Sequence, residues 1–428
     1  MAIREPEPFD PSLSLPDVAA AADLAPVATW GLDPPRPVPL WRKQAVFALG
    51  WFNLFALAGW FAAGTTAIPV LVGAVLSIVV VWPLVTWSRG VARPIEAAAN
   101  DLPLLAATLA RLAAEPFTAP RLAALKTAFA HAGGPPAERV RDLRRLADWV
   151  AARNNPFFVP VAIAMLWDVR MALLLDDWGR QSGPAVGRWL AAIADLEALA
   201  SLAAYAVENP HDPFPDVHPP GDPLLDATAL AHPLLPADHG VRNDVRLGGP
   251  ARLLTVSGSN MSGKSTLLRA VGTNVALALA GGPVRAKRLS LTPVALGATL
   301  RIQDSLQDGK SRFFAEVTRV KAVLARAATA PPVLFLFDEL FAGTNSADRL
   351  VGAEGVLRHL LDAGAVGLVT THDLALTELT TGLGDRAHNV HFEDQWTAGQ
   401  MTFDYRLQPG VVPHGNGLAL MRAVGLEV

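Results

Sequence analysis

The chain has 428 residues, 51% of them hydrophobic, no cysteine, and a formal net charge of −3 at pH 7. A length of this order suggests about three domains at ~150 residues each, and the hydrophobic share is high for a chain held wholly in water. The slight negative charge excludes a uniformly basic protein built to coat nucleic acid, and the lack of cysteine excludes disulfides, thiolate metal sites and thiol nucleophiles while fitting a reducing compartment.

Residues 1–40 are rich in Pro, Ala and acidic side chains and end in Pro34-Pro35-Arg36-Pro37-Val38-Pro39. This composition predicts a disordered tail without helix or core, and it has no basic n-region followed by an apolar segment, so it is not a secretory signal. Residues 41–89 read differently. Ala45–Ala63 and Ala67–Val85 are two 19-residue apolar runs whose only strongly polar side chains are Asn53 and Ser77, and Gly64-Thr65-Thr66 joins them. Each is close to the ~20 residues that span a bilayer, so a transmembrane helical hairpin is predicted. A buried hairpin in a soluble core is the alternative, although such hairpins normally keep a polar face. Arg42 and Lys43 precede the first run, Arg89 and Arg93 follow the second, and the loop is uncharged, which places both ends in the cytoplasm. Trp41, Trp60 and Trp87 fall near the run ends, where indoles favour the interface. The predicted location is the inner or plasma membrane, with the remainder of the chain cytoplasmic.

Residues 90–215 combine Ala/Leu stretches with regularly spaced charges, as in Arg139-Val140-Arg141-Asp142-Leu143-Arg144-Arg145-Leu146, and are predicted to form an amphipathic α-helical domain. Phe157–Leu175 is apolar, but Asp168 and Arg170 near its middle would be costly in hydrocarbon, so it is predicted to be a core helix and not a third span. Pro210–Pro223 reads as a polar linker; its neighbours His211, His218 and His232 match no metal-ligand spacing.

The last segment, 216–428, carries the chemistry. An apolar run, Leu253-Leu254-Thr255-Val256, enters Gly258-Ser259-Asn260-Met261-Ser262-Gly263-Lys264-Ser265-Thr266 and then Leu267-Leu268-Arg269. A Gly-x-x-x-x-Gly-Lys-Ser turn between a strand and a helix is a phosphate-binding P-loop: the glycines let backbone N–H groups curl around an anion, Lys264 reaches the outer phosphates, and Ser265 ligates Mg²⁺. The apolar run Pro331-Pro332-Val333-Leu334-Phe335-Leu336-Phe337-Asp338-Glu339 predicts a buried parallel strand ending in two carboxylates, with Asp338 placed to hold Mg²⁺ through water and Glu339 to orient or deprotonate an attacking water. A second apolar run, Ala365-Val366-Gly367-Leu368-Val369-Thr370-Thr371-His372, predicts a further strand with His372 at its end, where an imidazole can sense a γ-phosphate.

On these motifs residues 230–428 resemble the MutS family of mismatch-repair ATPases, relatives of the ABC-type ATPases. The resemblance is carried by His232-Pro233-Leu234 and Asn243-Asp244, by Asn260-Met261 inside the P-loop, and by Asp304–Glu316 with its Gly309-Lys310-Ser311-Arg312-Phe313. It continues through Asp338-Glu339, Gly343-Thr344-Asn345-Ser346, Thr371-His372 and Phe403-Asp404-Tyr405-Arg406-Leu407 with Gly410. It implies an α/β P-loop NTPase fold that binds ATP with Mg²⁺ and pairs as a dimer, most simply a homodimer, through the ATPase domain. Ser311 looks like the signature serine that reaches the partner's γ-phosphate, and Asn345 and Ser346 like the loop that links two sites across that dimer. Val241 and Asn243 resemble the adenine-binding edge, but Gly240 stands where mismatch-repair members place a stacking aromatic. The helical segment resembles a reduced core and lever domain, and DNA becomes an implied ligand.

The chain departs from the family in its first third, where a tail and a hairpin stand in place of a mismatch-reading domain with Phe-x-Glu; Phe314-Ala315-Glu316 fits that pattern only within the ATPase signature region. Standard mismatch reading is therefore not expected. An ABC transporter is disfavoured because Leu306-Gln307-Asp308-Gly309-Lys310-Ser311 is not a Leu-Ser-Gly-Gly-Gln signature and one hairpin builds no translocation path. Two ligands for the helical segment stay open: DNA, or a protein moved by an ATP-driven switch.

Overall fold

The computed structural model describes residues 24–32, 37–130, 133–236, 240–259, 261–300, 312–397 and 400–412. They divide into two compact units between Leu199 and Ala200. In the first unit, α1 (Ala25–Leu32) precedes α2 (Leu40–Ala63) and α3 (Ile68–Val81), and α3 passes through a 3₁₀ turn at Trp82–Leu84 into α4 (Val85–Ala98). Pro83 sits in that turn, where its missing N–H and its ring interrupt the regular α ladder without stopping the chain. The unit continues with α5 (Leu102–Ala114), α6 (Pro120–Thr127), α7 (Pro136–Ala151), α8 (Val159–Ala164) and α9 (Trp167–Glu208), the last of which crosses the unit boundary.

The amphipathic reading holds in α7, where Val140, Leu143, Ala147 and Val150 are buried at alternating spacings of three and four, facing a core with Ile95, Leu102, Leu109, Leu175 and Trp189. One core helix was predicted over Phe157–Leu175; two are found, because Leu166 takes a left-handed backbone (φ 54°) and ends α8 before α9 begins. Asp168 pairs with Arg153 at 3.3 Å, while the Arg170 guanidinium is buried over the Phe47 ring at 4.6 Å.

The predicted structureless tail is corrected by α1. Leu24, Val27 and Trp30, three residues apart, form one buried face, and Trp30 stacks on Trp178 of α9 at 6.3 Å with an 11° interplanar angle. Gly31 meets Gly183 so closely that a Cβ on Gly31 would stand 2.5 Å from the Gly183 carbonyl oxygen. The helix is held by docking and not by its own propensity, which composition does not register. Trp30→Ala is expected to cost about 3–5 kcal/mol in the first unit. A lowered first thermal transition, with protease cleavage appearing around Pro37–Pro39, is the expected result; an unchanged melt would show that the stacking contributes nothing.

The hairpin runs of α2 and α3–α4 leave Trp51, Phe55, Phe61, Leu71, Val75, Val79 and Trp82 exposed. Their two polar residues meet: the Asn53 amide Nδ2 donates to Ser77 Oγ at 2.9 Å and to the Ala164 carbonyl at 3.1 Å. Gly73 packs against the same Asn53 side chain, where a Cβ would collide with its Oδ1. By length and composition alone, Leu40–Ala63, Ile68–Ala98 and Trp167–Glu208 are each long and apolar enough to cross a membrane.

In the second unit, β1 (Asp216–Val217), β2 (Leu225–Leu230) and β3 (Asn243–Leu247) are followed by β4 (Leu253–Ser257), α10 (Lys264–Leu279), β5 (Arg288–Leu291) and β6 (Ala295–Thr299). Then come α11 (Arg312–Ala327), β7 (Val333–Phe337), α12 (Ser346–Asp362), β8 (Val366–Thr371), α13 (Leu374–Thr381), β9 (Ala387–Thr397) and β10 (Gln400–Pro409). A six-stranded sheet has the order β10-β9-β4-β8-β7-β6, parallel except for β10, and a four-stranded sheet has the order β1-β5-β2-β3. Every residue of β4, β7 and β8 is buried, as continuous apolar strands covered on both faces require.

The predicted linker is partly incorporated into this unit. β1 pairs with β5, His218 Nε2 lies 2.7 Å from Ser290 Oγ, and buried Asp212 accepts from Tyr205 OH at 2.8 Å and pairs with Arg285. Burial, reinforced by the Asp212 hydrogen bond, pushes the Tyr205 phenol up to about 12.

Candidate nucleotide site

β4, β7 and β8 are adjacent parallel strands, so their carboxyl ends bring three separate sequence motifs to one edge, the position at which open α/β sheets hold ligands. Among the described residues of the turn after β4, three have positive φ: Gly258 (148°), Met261 (71°) and Gly263 (105°). Gly258 has no room for a side chain, since a Cβ would stand 2.9 Å from both the Phe392 carbonyl and Ser262 Oγ. Gly263 caps α10, whose first turn points its free N–H groups into the loop.

Lys264 is buried, and its ammonium donates to the Gly258 and Ser259 carbonyls, each at 2.7 Å. Burial pulls its pKa down, opposed by the carboxylates of Glu339, Asp338 and Asp394. The Ser259 and Ser262 hydroxyls are buried in the same loop without hydrogen-bond partners among the described residues, which suits a loop made to surround an anion.

Ser265 Oγ donates to Asp338 Oδ1 at 3.0 Å, joining the P-loop helix to the end of β7. The register of β7 on β8 pairs Phe337 with Val369 and so brings Thr370 beside Asp338. The Thr370 hydroxyl donates to Asp338 Oδ1 at 2.7 Å and accepts from the Glu339 backbone N–H at 2.9 Å, so one buried hydroxyl positions both carboxylate-bearing residues. Glu339 itself is left-handed (φ 51°), a strained conformation for a side chain of this kind and one that concentrates at functional sites. Its Oε1 lies 3.2 Å from His372 Nδ1. Ser265 and Asp338 offer adjacent hard oxygens, the donor set that suits Mg²⁺.

A cavity of about 430 Å³ opens over these groups, lined by Lys264, Ser265, Thr266 and Glu339 and, farther out, by His232, Val241, Asn243 and Tyr405. Val241 and Asn243 are on this lining and Gly240 is not. Asn243 also bridges strands, donating to the Tyr405 carbonyl at 3.0 Å and accepting from Leu407 N–H at 2.7 Å.

Two participants were not foreseen. Thr370 and Thr371 are the two hydroxyls that end an otherwise apolar strand, a signal that could have pointed to Thr370. Tyr405 lies where the β9–β10 register shifts, between Phe403 and Leu407, and has φ 54°. Such a bulge re-aims a side chain: its ring stands over the loop, with Cδ1 3.2 Å from where a Gly263 Cβ would be. β10 thus brings an aromatic ring to the cavity lining.

Asn345 caps α12, accepting from Asp348 N–H at 2.9 Å, and Arg349 on α12 pairs with Asp373, the cap of α13 beside His372. Glu316 is buried and accepts from the Phe341 N–H at 2.6 Å, a structural role for the glutamate of Phe314-Ala315-Glu316. Asn260 and Ser311 lie outside the described residues.

Residues 254–427 match the family model of MutS domain V. Over 262 residues the chain is 31% identical to the DNA mismatch repair protein MSH6 of Arabidopsis thaliana, covering 55% of this chain and 19% of that protein. Over 239 residues it is 30% identical to the DNA mismatch repair protein MutS of Streptococcus equi subsp. equi (strain 4047), covering 55% of this chain and 28% of that protein. The chain thus spans less than a third of the length of either relative. The second unit, a mostly parallel sheet with helices, is consistent with a MutS domain V match.

Proposed function

We propose that the chain is a membrane-anchored ATPase of MutS type. In this reading residues 41–89 anchor it in the inner or plasma membrane, 90–215 act as a lever, and 216–428 bind and hydrolyse Mg·ATP on the cytoplasmic side as a homodimer with composite sites. The observation that carries the ATPase reading is the Thr370 hydroxyl bridging Asp338 and the Glu339 backbone beside Ser265. The loop backbone and Lys264 bind the phosphates, Tyr405 and Val241 flank the base, and Glu339 takes a proton from the attacking water while His372 steadies its carboxylate. Mg²⁺ held by Ser265 and Asp338 would supply charge neutralisation of the phosphates. The anchor reading is supported by the exposed apolar side chains of α2 and α3, together with the pairing of Asn53 with Ser77, because polar groups in hydrocarbon need partners.

The resemblance to mismatch-repair proteins supports DNA as the ligand that ATP turnover is coupled to, without standard mismatch reading. A second reading, with a protein ligand, is favoured by α7, where three of the four arginines pair with acids: Arg139 with Asp142 at 3.7 Å, Arg144 with Asp148 at 2.9 Å and Arg145 with Asp142 at 3.1 Å. Steady-state turnover of the full-length protein in detergent, with and without single-stranded, branched and mismatched DNA, separates them. Basal hydrolysis changed severalfold by one DNA form is expected; hydrolysis indifferent to all three replaces DNA with a protein ligand, and no hydrolysis removes the ATPase assignment.

A further inference from the structure

Beside the hairpin the first unit contains two chambers that share a wall. One, of about 430 Å³, lies among α2, α3 and α8 and is lined by Leu57, Val70, Ala74, Ile78 and Ile163, with Trp82 at its edge. The other, of about 890 Å³, is lined by Arg89, Arg93, Arg153, Glu96 and Asp168. Val81, Val85, Ile163 and Leu166 border both. Each volume is within the ~300–1,000 Å³ of small-molecule sites.

The charges in the second chamber are not balanced. Arg153 takes both carboxylates, Glu96 at 2.8 Å and Asp168 at 3.3 Å. Arg89 and Arg93, one turn apart on α4, have no ion-pair or hydrogen-bond partner among the described residues. Two unpaired guanidiniums, each a planar donor suited to phosphate oxygens, therefore line a chamber that adjoins an apolar one. They also follow directly on an apolar helix, with Trp82, 78% exposed, just before them, the order of residues found where a span meets headgroups.

We infer that these chambers form one site for an anionic phospholipid, its phosphate held by Arg89 and Arg93 and an acyl chain lying in the chamber beneath Trp82. A soluble phosphate would satisfy only the charged half, and a neutral lipid only the apolar half; adjoining chambers with a shared wall suit one molecule with both. The inference rests on the membrane-anchor reading of 41–89.

The test is native mass spectrometry of the full-length protein in detergent, titrated with phosphatidylglycerol or with phosphatidylcholine. At about fivefold per basic residue near an anionic lipid, phosphatidylglycerol should bind about 25-fold more tightly, and Arg89→Ala/Arg93→Ala should erase the preference. Both arginines are exposed, and undiminished ATP hydrolysis checks that the variant is folded. Ala74→Trp, which fills the apolar chamber and does not line the charged one, should weaken both lipids while keeping the charge preference. Inorganic phosphate should not displace the lipid. Equal binding of the two lipids, a preference that survives the double substitution, or displacement by inorganic phosphate would each overturn the site while leaving the anchor intact. The anchor fails by a different result: release by carbonate and a monodisperse protein without detergent.

Discussion

Glu339→Gln should reduce turnover by roughly 10²–10⁴-fold, the usual worth of a positioned general base, while Mg·ATP affinity stays at its wild-type value. The amide keeps the shape of the carboxylate and an oxygen that can still accept from His372 Nδ1, now 3.2 Å from Oε1, and the backbone N–H of residue 339 keeps its bond to Thr370. Only proton acceptance from water is removed. Lys264→Ala acts elsewhere. It takes away the buried ammonium that bridges the Gly258 and Ser259 carbonyls, and with it about 1.5–3 kcal/mol of charge-assisted bonding to phosphate, roughly ten- to a hundredfold in Kd. Nucleotide-binding titrations alongside turnover separate the two effects. If both variants lose binding equally, Glu339 holds phosphate or metal and does not act on water.

The parts of the site that the sequence made legible are those whose chemistry is local. A P-loop must place its glycines, lysine and serine at fixed offsets between a strand and a helix, so Gly258, Gly263, Lys264 and Ser265 could be read directly, as could the two carboxylates ending the apolar β7. Residues that depend on register were harder. Thr370 reaches Asp338 only because β7 and β8 are neighbours in one particular alignment, and Tyr405 reaches the loop only through a bulge in β10. Neither relation has a period or spacing within the chain. Position 240 shows the same limit in reverse: no spacing within the chain marks Tyr405, which reaches the cavity from a strand 165 residues later, paired through Asn243.

In the helical unit the balance shifts toward tertiary effects. The alternation of apolar and charged residues marked α7 because an isolated amphipathic pattern is enough to define its buried face. The eight residues of α1 carry no such signal and would be marginal alone; the Trp30–Trp178 stack and the Gly31–Gly183 approach make the helix. The break at Leu166 has the same origin. An apolar stretch predicts continuity, but Leu166 turns left-handed, and α9, starting afresh after it, carries Arg170 over Phe47 and Trp51.

Mixing two inactive chains should restore activity if ATP is clamped between subunits. Ser311 stands in Gly-Lys-Ser-Arg-Phe, immediately before α11, at the position the family resemblance gives to the residue that reaches the partner's γ-phosphate. A Ser311→Ala chain keeps Lys264 and the P-loop; a Lys264→Ala chain keeps Ser311. In a symmetric dimer each mixed pair then has one site with both intact halves. Random exchange makes half the dimers mixed, so about a quarter of wild-type turnover is expected from an equimolar mixture of chains that are each inactive alone. A site completed within one chain admits no such rescue, because every chain would keep one defective half in its own site. Subunit exchange is followed in the same samples by energy transfer between labelled chains. Exchange without any recovered turnover would show that the nucleotide is enclosed by a single chain, and the dimeric ATPase mechanism would have to be abandoned even if Glu339 and Lys264 behave as described.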